Sequence, residues 1–326
     1  MEKPEKRIYP WGDSLPYNSA AERYKEKYGG RLQKVSLSGG FSCPNRDGRV
    51  GTGGCTFCNN ESFVPFYAIG RDIMSQIDEG IEFLRRRYPR TARFVGYFQA
   101  YTNTYGPFEE IKQLYARVLS HPQISGLVIG TRPDCVDSEM LDFFAGLSEK
   151  HFISIEYGVE TTDDEILRRI NRGHDYAASV RAIEMTAVRG IHTGAHFMFG
   201  FGDTRENMLA MAGDINGLPL DSVKFHQLQI IRGTQMERMY RRGDGGYHIF
   251  SREEYSDFII DFLECLRPGL PVERFISETP PRYRVAPDWG PEFRVPQIRE
   301  EIVSRMSDAG RWQGRVFLLN SQVKEL

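Results

Sequence analysis

Gly39-Gly40-Phe41-Ser42-Cys43-Pro44-Asn45-Arg46-Asp47-Gly48, and then Gly53-Gly54-Cys55-Thr56-Phe57-Cys58, gather three of the chain's five cysteines into one short stretch. Three is the informative count. A structural zinc ion takes four protein ligands, and an iron–sulfur cluster held wholly by protein takes four thiolates. Cys135 and Cys265 are distant and isolated, and no histidine lies between Leu37 and Val64. A three-thiolate loop instead suits a four-iron cubane, [4Fe-4S], with one iron left open. That iron can take the amino and carboxylate groups of S-adenosylmethionine (SAM). Electron transfer into the sulfonium then releases a 5′-deoxyadenosyl radical, chemistry that belongs to the cofactor. The glycines let the main chain approach inorganic sulfide closely, and Phe57 can shield a cluster and lean on an adenine ring. The other readings of the spacing are a structural zinc loop or three reduced thiols.

Outward from this loop, short apolar strands alternate with amphipathic helices, the pattern of βα units around a parallel sheet. Strands are expected at 34–37, 93–98, 126–130, 152–157, 193–199 and 222–228. Helices are expected at 71–88, 108–120, 138–150, 163–170, 176–189 and 206–217. Six units predict a partial, six-stranded (β/α)6 parallel barrel over residues 31–240. An N-terminal extension (1–30) precedes it. A small C-terminal α/β extension (241–326) follows, with a helix at 252–266 and a strand-like 272–276. Ligands of such sheets bind at the C-terminal strand ends.

Composition bounds the function. The 326 residues carry a net charge of −2, with no global bias toward nucleic acid or membrane. Apolar runs are too short to span a bilayer. The charged start, Met1 to Lys6, does not read as a signal peptide. Five cysteines, an odd number, argue against a disulfide framework. The expected location is the cytoplasm.

Each strand end carries polar residues. Gln99-Ala100-Tyr101-Thr102-Asn103-Thr104-Tyr105 offers amides and hydroxyls for a ligand, or forms a capped turn. Arg132, in Thr131-Arg132-Pro133-Asp134, either reaches a phosphate or carboxylate with its planar fork or pairs with Asp134 or Glu156. Cys135 reads as packing. Glu156-Tyr157-Gly158-Val159-Glu160-Thr161 leads to Asn171-Arg172-Gly173-His174, and Gly200-Phe201-Gly202-Asp203-Thr204 ends the fifth strand. His196 and His226 point into the barrel or outward. Arg85-Arg86-Arg87, Arg90 and Arg93 form one basic group, and Arg232, Arg238, Arg241 and Arg242 another. Each is either a solvated face or a local phosphate-tracking patch.

Cys-Pro-Asn-Arg-Asp-Gly with Gly-Gly-Cys-Thr-Phe-Cys resembles the signature of a radical SAM family of uncharacterised proteins, related to the radical SAM domain of the elongator catalytic subunit. The spacing of eleven and then two residues between cysteines is similar, and the blocks above recur in it. The chain departs from the pattern at Glu160, where the family has Gln. It departs again at Gly200 to Thr204, where a Pro is missing and the loop is one residue shorter. The resemblance implies Cys43, Cys55 and Cys58 as cluster ligands. It implies Phe57, Gln99, Glu156, Thr161, Arg172 and Gly200 around SAM, and an external one-electron reductant of flavodoxin or ferredoxin type. No catalytic residue is assigned. The substrate implied is tRNA at a wobble uridine. Alternatives are a small metabolite or cofactor precursor, or a non-catalytic zinc or iron–sulfur binding protein.

Overall fold

The computed structural model describes residues 7–62, 64–89, 91, 93–277, 279–290 and 294–323. Met1 to Lys6 and Arg90 therefore lie outside the described residues. Strands β1 (Leu32–Leu37), β2 (Arg93–Phe98), β3 (Ile124–Thr131), β4 (Phe152–Glu160), β5 (His192–Phe199) and β6 (Ser222–Gln227) lie side by side in chain order. Every pairing is parallel. β2 is apolar almost throughout and every residue after Arg93 is buried, whereas β1 and β6 alternate apolar residues with Lys34, Ser36, Lys224 and His226.

The sheet has seven strands, not six. After β7 (Ile230–Ile231), β8 (Val272–Arg274) pairs in parallel with β6 and extends the curled half-barrel. This strand is three residues long, shorter than the expected 272–276, and it comes from beyond residue 241. The sequence pattern hides its place in the sheet, because a helix intervenes where the alternation breaks. The N-terminal segment covers its free edge, with Val272 N donating to Asn18 O (2.7 Å). Separately, β7 pairs antiparallel with β9 (Arg284–Ala286).

α1 (Ala20–Tyr28) lies at the bottom of the half-barrel, its Tyr24 reaching the interior, and helices coat the outer face: α2 (Ile73–Arg87), α3 (Phe108–Leu119), α4 (Ser138–Ser148), α5 (Asp164–Arg169), α6 (Tyr176–Ala187) and α7 (Arg205–Gly217). α8 (Gln235–Arg241), α9 (Arg252–Cys265), α10 (Val295–Asp308) and α11 (Arg315–Val323) complete the chain. Asp72, Asp137, Asp163, Asp175 and Thr204 cap the first turns of α2, α4, α5, α6 and α7. These caps start each helix just after the strand-end residues that matter below. One core, from Val35 through Phe197 to Phe262, joins sheet, outer helices and α9.

Candidate active site

The interior of the half-barrel is layered. At the bottom, Tyr24 and Phe152 pack around His192, whose ring nitrogens meet Tyr24 Oη (3.1 Å) and Ser154 Oγ (2.9 Å). Above lies an ionic layer. Lys34 Nζ donates to Glu156 Oε1 (2.8 Å) and Glu273 Oε2 (2.7 Å). Lys224 Nζ donates to Glu156 Oε2 and stands 3.4 Å from Glu273. Both ammonium groups lie over the Tyr97 ring, at 4.9 and 5.0 Å. Isolated charges would be costly here, but two lysines and two carboxylates neutralise one another. Burial raises the Glu273 carboxyl, yet Lys224 and Lys34 overcome it and hold it at about 2. The same opposition, helped by His196, keeps Glu156 well below the usual carboxylate range.

Above this layer opens a cleft. Cys43, Cys55 and Cys58 line it together with Phe57, Gln99, Glu156 and Arg172. Phe57 rests against Phe201, ring centroids 5.6 Å apart. Both oxygens of Glu156 already serve Lys34, Lys224 and His196 (3.1 Å), so this carboxylate forms the cleft's floor. Thr161 and Gly200 do not line the cleft. Thr161 is fully buried, its hydroxyl against Met211 and accepting from Asp163 N. Gly200, at φ +112°, is covered by the chain at His248, whose N–H donates to Gly200 O (2.9 Å). The short turn at Gly200 to Thr204 leaves room for that covering segment.

The polar block after β2 divides. Gln99, Tyr101 and Thr102 line the cleft. Asn103 and Thr104 instead bond Gly130 O (2.7 Å) and Thr131 Oγ1 (2.6 Å), which is local turn work. Arg132 is buried and forks onto Asp134 at 2.9 and 2.8 Å, leaving Nη1 without a partner. His196 and His226 both face inward and line the cleft. Burial, with Lys224 beside it, holds His196 at about 4, and burial with Arg274 beside it holds His226 at about 3. Both imidazoles are thus neutral at pH 7. Burial, with Arg172 beside it, also holds His174 near 3.

The segment after α5 clamps the cysteine loop. Thr56 N donates to Ile170 O (2.9 Å), Asn171 Nδ2 to Gly54 O (2.8 Å), and Asn45 Nδ2 to Asn171 O. Arg172 Nη1 approaches Cys55 Sγ at 3.5 Å, and its Nη2 donates to Gly158 O. A side chain at Gly158 would meet the ends of Glu160 and of that same guanidinium, so a larger residue there must displace the Arg172–Glu160 pair. On the other side, Met236 N at the start of α8 donates to Thr56 O (2.8 Å). Burial and the neighbouring Cys55 push the Cys58 thiol up to about 12, so ligation of metal here must displace protons.

The donor set fits a cluster better than a single ion. Among the described residues no three of His, Cys, Asp and Glu are grouped to hold one metal ion, whereas a cubane spreads its ligands over three corners. Thr102 Oγ1, Arg132 Nη1 and Arg172 Nε, on residues that line this space, are buried without partners, and buried polar groups of this kind normally have them. Arg46, Arg132, Arg172 and Arg274 face the cleft against two carboxylates, Glu156 and Glu160, a balance suited to an anionic cluster and to carboxylates.

Sequence reasoning did not name Tyr97, Gln229, Arg274, Ser277 or Thr279, which also line the cleft. Gln229 receives Thr279 N (3.0 Å) and donates to Ser277 O (2.6 Å), fixing the last wall. Lys34 and Lys224, each inside an apolar strand, were the visible signal of a charged interior.

The Radical SAM superfamily profile matches residues 21–215, and that of the Radical SAM C-terminal domain matches residues 220–304. The chain is 29% identical over 312 residues to the uncharacterized protein YtqA of Bacillus subtilis (strain 168), covering 93% of this chain and 95% of that one. It is 26% identical over 183 residues to the tRNA uridine(34) acetyltransferase of Dehalococcoides mccartyi, covering 54% of this chain and 38% of that protein. Among solved structures, the archaeal Elp3 of Methanocaldococcus infernus with an N-terminal deletion superposes with a TM-score of 0.63 at 18% identity. That match spans 86% of this chain and 64% of Elp3, a likeness of fold. No helix among the described residues is long and apolar enough to cross a membrane.

Proposed function

Since this chain belongs to the radical SAM superfamily, we propose that it is an enzyme whose Cys43, Cys55 and Cys58 hold a [4Fe-4S] cluster with one open iron. The observation that carries this reading is the convergence of three thiols from one loop on a cleft rich in arginine. Such a cluster, when bound, would supply the electron that splits SAM into methionine and a 5′-deoxyadenosyl radical able to take hydrogen from a substrate. The chain's own residues do the rest. Phe57 and Phe201 shield the loop's side of the cleft. Arg172 supports Cys55 and offers positive charge to the cluster. Gln99, whose amide has no partner among the described residues, is the polar group available to the amino end of SAM. An external one-electron donor of flavodoxin or ferredoxin type supplies the electron.

For substrate we favour tRNA at a wobble uridine. Support comes from the partial similarity to a tRNA uridine(34) acetyltransferase. It also comes from arginines on α8, whose N-terminus touches the cysteine loop. A small metabolite or cofactor precursor is the competing substrate class. The direct test is anaerobic reconstitution with iron and sulfide, then strong reductant and SAM. The expected products are 5′-deoxyadenosine and methionine, formed slowly without substrate. A fully loaded protein that releases no deoxyadenosine under any reducing condition sinks the proposal.

A further inference from the structure

Arg46 and Arg274 are the two arginines lining the cleft whose guanidinium groups have no partner among the described residues, and Arg274 is the less exposed of them. It lies on β8, in register with Lys224 of β6, and its side chain lines the cleft. Its Nε is shut off from solvent without an acceptor, and among the described residues the guanidinium has no hydrogen-bond or ion-pair partner. The ionic layer beneath offers none to spare. Lys34 and Lys224 already balance Glu156 and Glu273, so Arg274 is the third cation beside two carboxylates. The groups whose charge it feels are no better. His196 and His226 are neutral at pH 7, and burial keeps Tyr97 protonated. Of the arginines at the loop side, Arg132 is tied to Asp134, and Arg172 to Cys55 and Gly158. The buried Nε of Arg274 lacks the acceptor that such groups normally have, the terminal nitrogens open toward the cleft, and the planar fork matches an oxyanion with two parallel hydrogen bonds.

We propose that Arg274 holds an oxyanion of the substrate, a carboxylate or a phosphate, on the β8 wall of the cleft. The cysteine loop follows β1 and Arg274 lies on β8, and the curl of the sheet, which brings Lys34 of β1 to Glu273 of β8, sets both on one cleft. Ser277 and Thr279, held by Gln229, present hydroxyls on the same wall. The role of this anion as substrate rests on the enzyme reading above, but its binding does not.

The test therefore begins with the full chain before reconstitution. Thermal midpoints are followed against sodium phosphate and, separately, sodium acetate, at ionic strength fixed with sodium chloride. Saturable stabilisation is expected from one or both anions. Tighter phosphate identifies a phosphorylated substrate group, and tighter acetate a carboxylate. Arg274→Gln should weaken the apparent affinity at least about tenfold, as loss of a charge-assisted pair does, with Arg274→Lys retaining part. Should Arg274→Gln fail to fold, the Lys variant still reports, because it keeps the charge and loses the fork. No stabilisation beyond chloride, or equal affinity in all three proteins, overturns the proposal. It is equally overturned if reconstituted Arg274→Lys loses SAM binding, measured by equilibrium dialysis, because the anion is then the cofactor's own carboxylate. Iron content and deoxyadenosine formation by the native chain report separately on the enzyme reading.

Discussion

Arg172 sets its Nη1 3.5 Å from Cys55 Sγ while its other arm lies 3.7 Å from Glu160 Oε1. One buried guanidinium thus bridges the cysteine loop and the end of β4. Burial raises the Glu160 carboxyl, against the pull of Arg172 and Arg132. Arg172→Ala leaves that carboxyl buried with its main partner gone, a change of about 3–5 kcal/mol. Adding Glu160→Gln should recover a substantial part, since an amide needs no counter-charge there. Denaturant titration of the two single variants and the double variant gives the coupling. Strict additivity would show that the pair does not interact.

Cluster occupancy should follow the three loop cysteines alone. Cys43→Ala, Cys55→Ala and Cys58→Ala should each abolish the roughly four irons per chain that a cubane requires. Cys135→Ala and Cys265→Ala should retain them. Cys135 lines a separate groove with Phe41 and Pro44, and Cys265 ends α9, on the outer layer. Iron and sulfide analysis after reconstitution decides. If Cys135 proves as necessary as the other three, no iron is left open.

Acid should unfold the chain in two stages, with the sign fixed by linkage. His196 and His226 are held at about 4 and 3, below the unfolded value near 6.5. The unfolded chain therefore binds more protons, and stability falls from pH 6.5 downward by about 1.4 kcal/mol per pH unit for each histidine. Glu273, held at about 2, adds a second loss below its unfolded value near 4.3. Glu156 acts in the same direction. Urea midpoints between pH 8 and 4 should show the first stage, and His226→Gln should flatten it. An unchanged slope in that variant would remove His226 from the account.

Much of this architecture was legible because local chemistry and tertiary role agree. The β2 run Arg93–Phe98 is a strand by composition and is buried as one. Asp72 and Asp137 start helices where their side chains cap them. The cysteine loop was legible because only its spacing, not its surroundings, had to be read. The strand at Val272 was read as well, but its place beside β6 was not, since three residues paired with a strand about fifty positions earlier leave no period that gives the register. The same long-range pairing hid Arg274. Gly200 was placed beside SAM by resemblance, but the segment from His248 to Phe250 that covers it is distant in sequence. Glu156 faces the cleft as expected, yet its charge is consumed by Lys34 and Lys224, which only the closed sheet brings to it.

If tRNA is the substrate, the arginines of α8 should carry part of the binding. Arg241 pairs with Glu237 at 2.8 Å and Arg242 with Asp244 at 2.9 Å, both at exposed positions. Such surface pairs are worth little, so phosphates can compete for these guanidinium groups at small cost. Retention of tRNA should weaken steeply with salt, and each lost phosphate contact should lower the log–log slope by roughly 0.7–0.9. Arg241→Ala with Arg242→Ala should therefore reduce both affinity and slope. Uncoupled deoxyadenosine formation should persist, because neither side chain lines the cleft. Filter binding across a salt series measures the first effect, and nucleoside profiles of tRNA from cells with and without the gene measure the consequence. Identical profiles together with no retention at low salt would transfer the assignment to a small-molecule substrate. An oxyanion held by Arg274 would then have to belong to that molecule.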